Sequence, residues 1–177
     1  MARRELIEAL GRVTPARYSG TVYRQIALGY QALSGEGARA MGSRWNPPGS
    51  FPVLYTSPSV DVVMAEIIRK AKRAGFAPED LMPRRLVTYE VELRRVLDLS
   101  AESNRELTGF SFEVVTDGDV RICQAIGEAA HYIGLEAILA PSAATSGSAL
   151  SIFLNKLLPE SMVDVVQDEL LEQPMSP

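Results

Sequence analysis

The sequence predicts an α+β fold, on three observations. Strand-like and helix-like segments do not alternate regularly, and several strand candidates follow one another, which argues against a doubly wound α/β arrangement. Residues 85–93, RLVTYEVEL, alternate between an apolar set (Val87, Tyr89, Val91, Leu93) and a more polar one (Leu86, Thr88, Glu90, Glu92). That period of two marks a half-exposed strand of an antiparallel or mixed sheet. From Val60 onward, Val63, Met64, Ile67, Ile68 and Ala71 fall at helical spacing.

The elements follow in order. Residues 2–10 suit a short helix stopped by Gly11. Residues 21–28, TVYRQIAL, read as a strand with Val22, Arg24, Ile26 and Leu28 on one face. An arginine among three apolar neighbours lies at the strand's edge or meets an anion. Residues 29–42 are rich in Gly, Ala and Ser and read as a flexible loop bordering a ligand. Pro47, Pro48 and Gly49 then stiffen a turn after Arg44, Trp45 and Asn46. A strand at 53–57 delivers Tyr55, Pro58-Ser59 ends it, and Ser59 caps the helix that carries Glu66 close to its apolar stripe.

Residues 75–83 are a connector, and 96–99 extend the 85–93 strand after a break. Asp119 caps a helix closed by Gly134. Strands are expected at 136–140, 149–154 and 162–167, with a small-residue loop at 144–148 and an acidic tail, 168–177, that frays.

Composition narrows the function classes. The 177 residues, 46% apolar and 23% charged, suit a single domain over 1–177 with a sizeable core. A net charge of −4 gives no electrostatic reason to bind nucleic acid directly. No apolar run is long enough to span a bilayer and no signal peptide is visible, so neither membrane insertion nor export is expected and the location read is cytoplasmic. A single cysteine, Cys123, sits in a helical apolar pattern as a core thiol, and a single histidine, His131, reads as structural. These exclude a Cys-His or Ser-His-Asp hydrolase and a multi-His or multi-Cys metal site, so no metal is expected. Neither a Walker loop nor GxGxxG is present.

The remaining constellation is Arg24, Arg44, Tyr55, Glu66 and Ser142, each at a strand end, near a turn or on a helix beside a strand. Two arginines can hold a pyrophosphate through charge-assisted hydrogen bonds. Tyr55 and Trp45 can stack on a flat ring, and a lone carboxylate can stabilise an oxocarbenium ion or bind a ribose hydroxyl. Each has a plainer reading. Arg24 and Glu66 can be an ion pair, Tyr55 and Trp45 core residues, Ser142 a turn residue after Pro141, and the basic runs 69–73 and 84–85 solvated ends.

Tyr23-Arg24, SRWNPPG at 43–49, LYTS at 54–57 followed by Ala65-Glu66, and PSA at 141–143 together resemble the RES domain over about residues 20–160. The resemblance implies a fold similar to ADP-ribosyltransferase toxins, a mixed, split β-sheet with flanking helices around an NAD-binding cleft. It implies a toxin of a bacterial toxin–antitoxin pair, with an Xre-type helix-turn-helix antitoxin as partner. It implies NAD⁺ as a substrate cleaved by hydrolysis or phosphorolysis, with inorganic phosphate as co-substrate in the second case and no cofactor. Arg24, Glu66 and Ser142 would be catalytic; Arg44, Trp45, Asn46 and Tyr55 would bind substrate; Asn155 would be structural. Two other readings stay open. One is a transferase of ADP-ribose to a macromolecule, although Met64 and Ala65 stand where arginine-directed transferases carry a Gln/Glu-x-Glu loop. The other is a partner-binding module without activity.

Overall fold

The computed structural model describes residues 3–111, 120–142 and 145–174. Among them, six strands form one mixed sheet: β1 (Ala16–Ala27), β2 (Leu54–Thr56), β3 (Arg84–Asp98), β4 (Ala137–Pro141), β5 (Ser148–Ile152) and β6 (Met162–Leu171). The helices are α1 (Arg3–Leu10), α2 (Glu36–Met41), α3 (Val60–Ala74), α4 (Glu102–Thr108) and α5 (Arg121–Tyr132). No helix among the described residues is long and apolar enough to cross a membrane.

The strand order is β1-β3-β4-β5-β2, with β6 also paired to β3. β3 runs antiparallel to β1 and β6 but parallel to β4. β6 lines its first part, Arg84 to Glu92, and β4 only Val96 to Asp98, so β3 serves two neighbours in succession. The two ends of the order meet at one bridge. Tyr23 of β1 and Ser57 beyond β2 exchange N–H···O bonds of 2.7 and 2.9 Å. Past that bridge β1 and β2 do not pair, which leaves room for a cleft.

Burial explains the elements. Leu6, Ala9 and Leu10 face inward, and α1 packs on α5, whose Cys123, Ile126, Ala129 and Ala130 join the same core as Trp45 and Phe153. α3 buries Val62, Val63, Met64, Ile67 and Ala71, and Gly75 ends it at φ +76°, its N–H bonding the Ala71 and Lys72 carbonyls. Ser59 is the N-cap by position, but its hydroxyl makes no capping bond. His131 stacks on Phe51 and shares a 3.0 Å hydrogen bond with Asn155, as befits two structural residues.

Several expectations need correction. β1 begins at Ala16 and ends at Ala27, so Leu28, 50% exposed, is off the buried face. Residues 29–42 contain α2 and are tied down: Tyr89 Oη and Arg24 donate to the Ala32 carbonyl, and Asn46 to that of Ala38. β3 has no break at Arg94-Arg95, because the carboxylate of Glu136 accepts both their N–H groups. The tail stays in β6 to Leu171, held where Asp168 pairs with Arg85. Strand 149–154 is shorter, ending at Ile152, with Leu154 in a 3₁₀ turn. Ala2, Asp119, Ala143, Ala144 and residues 175–177 lie outside the described residues.

Glu136 is the structural keystone of the β3–β4 junction. Fully buried, it accepts from the N–H groups of Arg94 (2.7 Å), Arg95 (2.8 Å) and Leu158 (2.9 Å). Burial alone would raise its pKa, but these donors outweigh it and hold it below the usual carboxylate range. Its stabilising share is therefore complete above the ordinary value of 4.5 and is lost as pH falls through the lower folded value. Glu136→Gln, which turns an amide N–H₂ toward backbone donors, should cost about 3 kcal/mol in a denaturant titration at neutral pH. A loss below about 0.5 kcal/mol would refute this role.

Candidate active site

A cleft of about 820 Å³ lies where β1, β2 and α3 converge and α5 forms one wall. That volume suits a dinucleotide-sized ligand. Strand β2 presents Tyr55 to it, and Tyr55 pairs across the sheet with Ser151 of β5. Buried Oη of Tyr55 donates to Asn46 Oδ1 (2.8 Å) and accepts the N–H of Trp45 (2.9 Å). Burial pushes its pKa up to about 12, so the phenol stays protonated and keeps donating.

These bonds hold the loop that carries Arg44. Asn46, fully buried, also donates from Nδ2 to Ala38 O at 2.7 Å, and Gln124 of α5 donates to Ser43 O at 2.9 Å. Trp45 is 1% exposed and packs on Phe110, so most of its indole is spent on the core. Of the two readings of Trp45, ring stacking or core packing, its burial favours the second: Trp45 and Asn46 seat the loop, and Arg44, Trp45 and Tyr55 all line the cleft.

Arg24 sits on β1 between buried Val22 and Ile26. Its Nη1 donates to the carbonyls of Ser34 (2.9 Å) and Ala32 (3.3 Å), and it lines the cleft. Burial lowers its pKa, opposed by the Tyr89 hydroxyl nearby. The alternative of an Arg24–Glu66 ion pair is not realised, for Arg24 points at carbonyls. Glu66, exposed on α3, receives instead the hydroxyl of Ser142 at 3.4 Å. Ser142 is placed there by the turn after β4, where its N–H bonds Gly147 O at 2.8 Å. Thus Arg24, Arg44, Tyr55, Glu66 and Ser142, spread over 119 positions of sequence from 24 to 142, are gathered at one cleft or its edge.

The cleft also holds residues that pattern reading did not single out. Arg69, Lys70 and Arg73 line it rather than being merely solvated. Their spacing from Glu66, three, four and seven residues, was the available signal, since it puts all four on one helix face. Ser151 lines it too, and its buried Oγ has no hydrogen-bond partner among the described residues. Nothing in the local sequence distinguishes that serine. Among the described lining residues Glu66 is the one carboxylate, against five cationic side chains. Such a surface binds an anionic ligand and places one negative charge where a cation can develop.

Comparison with known proteins agrees with this geometry. The chain is 35% identical over 155 residues to NAD(+) phosphorylase MbcT of Mycobacterium bovis and of Mycobacterium tuberculosis, covering 86% of this chain and 82% of the relative. The crystal structure of the M. tuberculosis MbcT–MbcA toxin–antitoxin complex contains a chain that superposes with a TM-score of 0.89 at 32% identity, over 96% of this chain and 94% of that one. The RES domain model matches residues 14–175. With nearly its whole length covered, the chain belongs to the RES domain family.

Proposed function

We propose that this chain is a toxin of a toxin–antitoxin pair that cleaves the nicotinamide–ribose bond of NAD⁺ by phosphorolysis. The observation that carries the reading is Glu66, the one carboxylate among the described lining residues, in a cleft whose other charged side chains are all arginine or lysine. The similarity to NAD(+) phosphorylase MbcT supports it.

The chemistry matches what these residues can supply. The N-glycosidic electron pair leaves with the pyridinium nitrogen, so nicotinamide departs neutral and needs no proton donor. What the departure creates is positive charge at the ribose C1′ and ring oxygen. Glu66 stabilises that charge, and Ser142 orients the carboxylate or a ribose hydroxyl. A phosphate oxygen then bonds to C1′, giving ADP-ribose 1″-phosphate. Tyr55, held by Asn46 and Trp45, packs its ring against the nicotinamide end. Arg44 grips the dinucleotide phosphates. Arg24 shares that task and, through Ala32 and Ser34, pins the 29–42 segment, whose Met41 and Gly42 line the cleft. Neither a metal nor a covalent enzyme nucleophile enters these steps, and NAD⁺ is consumed as substrate.

The partner we assign is a cognate antitoxin protein, by analogy with the toxin–antitoxin complex of the similar structure, and the Xre helix-turn-helix type is assigned to it from the resemblance to the RES domain alone. Promoter DNA would then be contacted by that partner rather than by this acidic chain. Expression of the chain alone in bacteria should collapse cellular NAD⁺ as growth stops, and co-expression of the cognate antitoxin should restore both. Growth arrest at constant NAD⁺ would refute the proposal and favour transfer of ADP-ribose to a macromolecule.

A further inference from the structure

Glu66, Arg69, Lys70 and Arg73 occupy one face of α3, and all four line the cleft. At about 1.5 Å per residue the basic row begins one turn from the carboxylate and ends about 10 Å along the axis from it. Glu66 and Lys70 stand at the spacing that favours an ion pair, yet none forms, and the carboxylate meets Ser142 instead. Among the described residues no ion pair engages Arg69, Lys70 or Arg73. Burial first, then repulsion from Arg73 and Arg44, depresses the pKa of Arg69, and the attraction of Glu66 does not offset them. Arg69, Lys70 and Arg73 thus crowd one wall of the cleft with Glu66 as the one carboxylate among the described lining residues. A row of cations that makes no ion pair and faces a cleft is what an anionic ligand would engage.

We propose that Arg69 and Arg73, with Arg44 from the loop before β2, form a phosphate-binding subsite. Their planar guanidinium groups can each offer paired N–H donors to a tetrahedral oxyanion. Lys70 adds a point charge. Arg24 stands apart from this row, on β1, with its Nη1 bonded to two carbonyls. The phosphate chemistry has two possible sources in the proposed reaction, inorganic phosphate as co-substrate and the diphosphate of the dinucleotide. The name of the reaction rests on the preceding reading, but anion binding at this row does not.

The test is the thermal melting of the full chain titrated with inorganic phosphate or with ADP, at constant ionic strength set by sodium chloride. Wild type should be stabilised by at least one of them in a concentration-dependent way. Arg69→Gln/Arg73→Gln should melt close to wild type without ligand, since neither side chain makes an ion pair among the described residues. Its apparent affinity should fall at least about tenfold. If the double variant does not fold, the exposed single variant Arg73→Gln takes its place. Weakening for phosphate alone supports a co-substrate site, weakening for ADP alone supports a dinucleotide-phosphate site, and weakening for both supports a shared one. Unchanged affinity for both, or wild type stabilised by neither, overturns the proposal. No bond is cleaved in this experiment, so a chain that fails to consume NAD⁺ can still pass it.

Discussion

Glu66→Gln is expected to lower nicotinamide release from NAD⁺ by about 10²- to 10³-fold while leaving NAD⁺ binding nearly intact. The amide keeps the volume and a hydrogen bond with Ser142, but it carries no charge to set against the cation forming at C1′. Loss of one preorganised electrostatic contact to a transition state costs about 3–4 kcal/mol, which is that factor in rate. Ground-state binding rests on other residues, chiefly the cationic wall and Tyr55, so the loss should fall in kcat rather than KM. Calorimetric binding of NAD⁺ beside a discontinuous nicotinamide assay separates the two. Turnover within a few-fold of wild type would mean that Glu66 does not face the reacting carbon.

Gly127→Ala should be nearly as damaging, although it is remote from any ligand. On propensity alone, alanine in the middle of α5 should stabilise the helix by about 1 kcal/mol. Packing reverses the sign. A Cβ at this position would stand 1.8 Å from the Trp45 carbonyl oxygen and 2.7 Å from its carbon, both backbone atoms that cannot rotate away. Either α5 or the loop holding Arg44 must move by more than an ångström, at a cost of about 3 kcal/mol or more. Because Gln124 on the same helix holds Ser43, the shift reaches Arg44 and Tyr55. Misplacement of that size lowers kcat/KM by about a hundredfold in well-oriented sites. A variant as stable and active as wild type would show that the loop is not seated on α5 in the way its geometry requires.

The Gly127 contact illustrates what sequence pattern can and cannot reveal. Local rules worked where the cause was local. Helical spacing placed α3, a proline and a serine marked its start, Gly75 its end, and alternation found β3 and which of its faces is buried. Tyr55, Glu66 and Arg44 reached the cleft because strand end, helix face and turn each follow from neighbouring residues. Contacts between distant segments were not legible. Glu136 looked like an ordinary strand residue, yet it satisfies the Arg94 and Arg95 amides some forty positions earlier and thereby keeps β3 continuous. Trp45 read either as a stacking surface or as a core residue, because an indole's preference between the two is decided by what packs on it, here Phe110. The 29–42 segment read as flexible from its small residues, while the groups that pin it, Arg24 and Tyr89, come from other strands. The α4 turn of helix, short and polar with only Thr108 buried, gave no periodic signal.

Phosphorolysis requires that the cleft around Glu66 break the nicotinamide–ribose bond of NAD⁺ with phosphate as acceptor. It is tested most directly by free nicotinamide released by the purified chain, separated from any partner, with and without added inorganic phosphate. Release should rise steeply with phosphate, with ADP-ribose 1″-phosphate appearing in equal amount. Release indifferent to phosphate, with ADP-ribose as product, would contradict phosphorolysis and leave a glycohydrolase. No release under either condition from folded protein would contradict NAD⁺ cleavage itself.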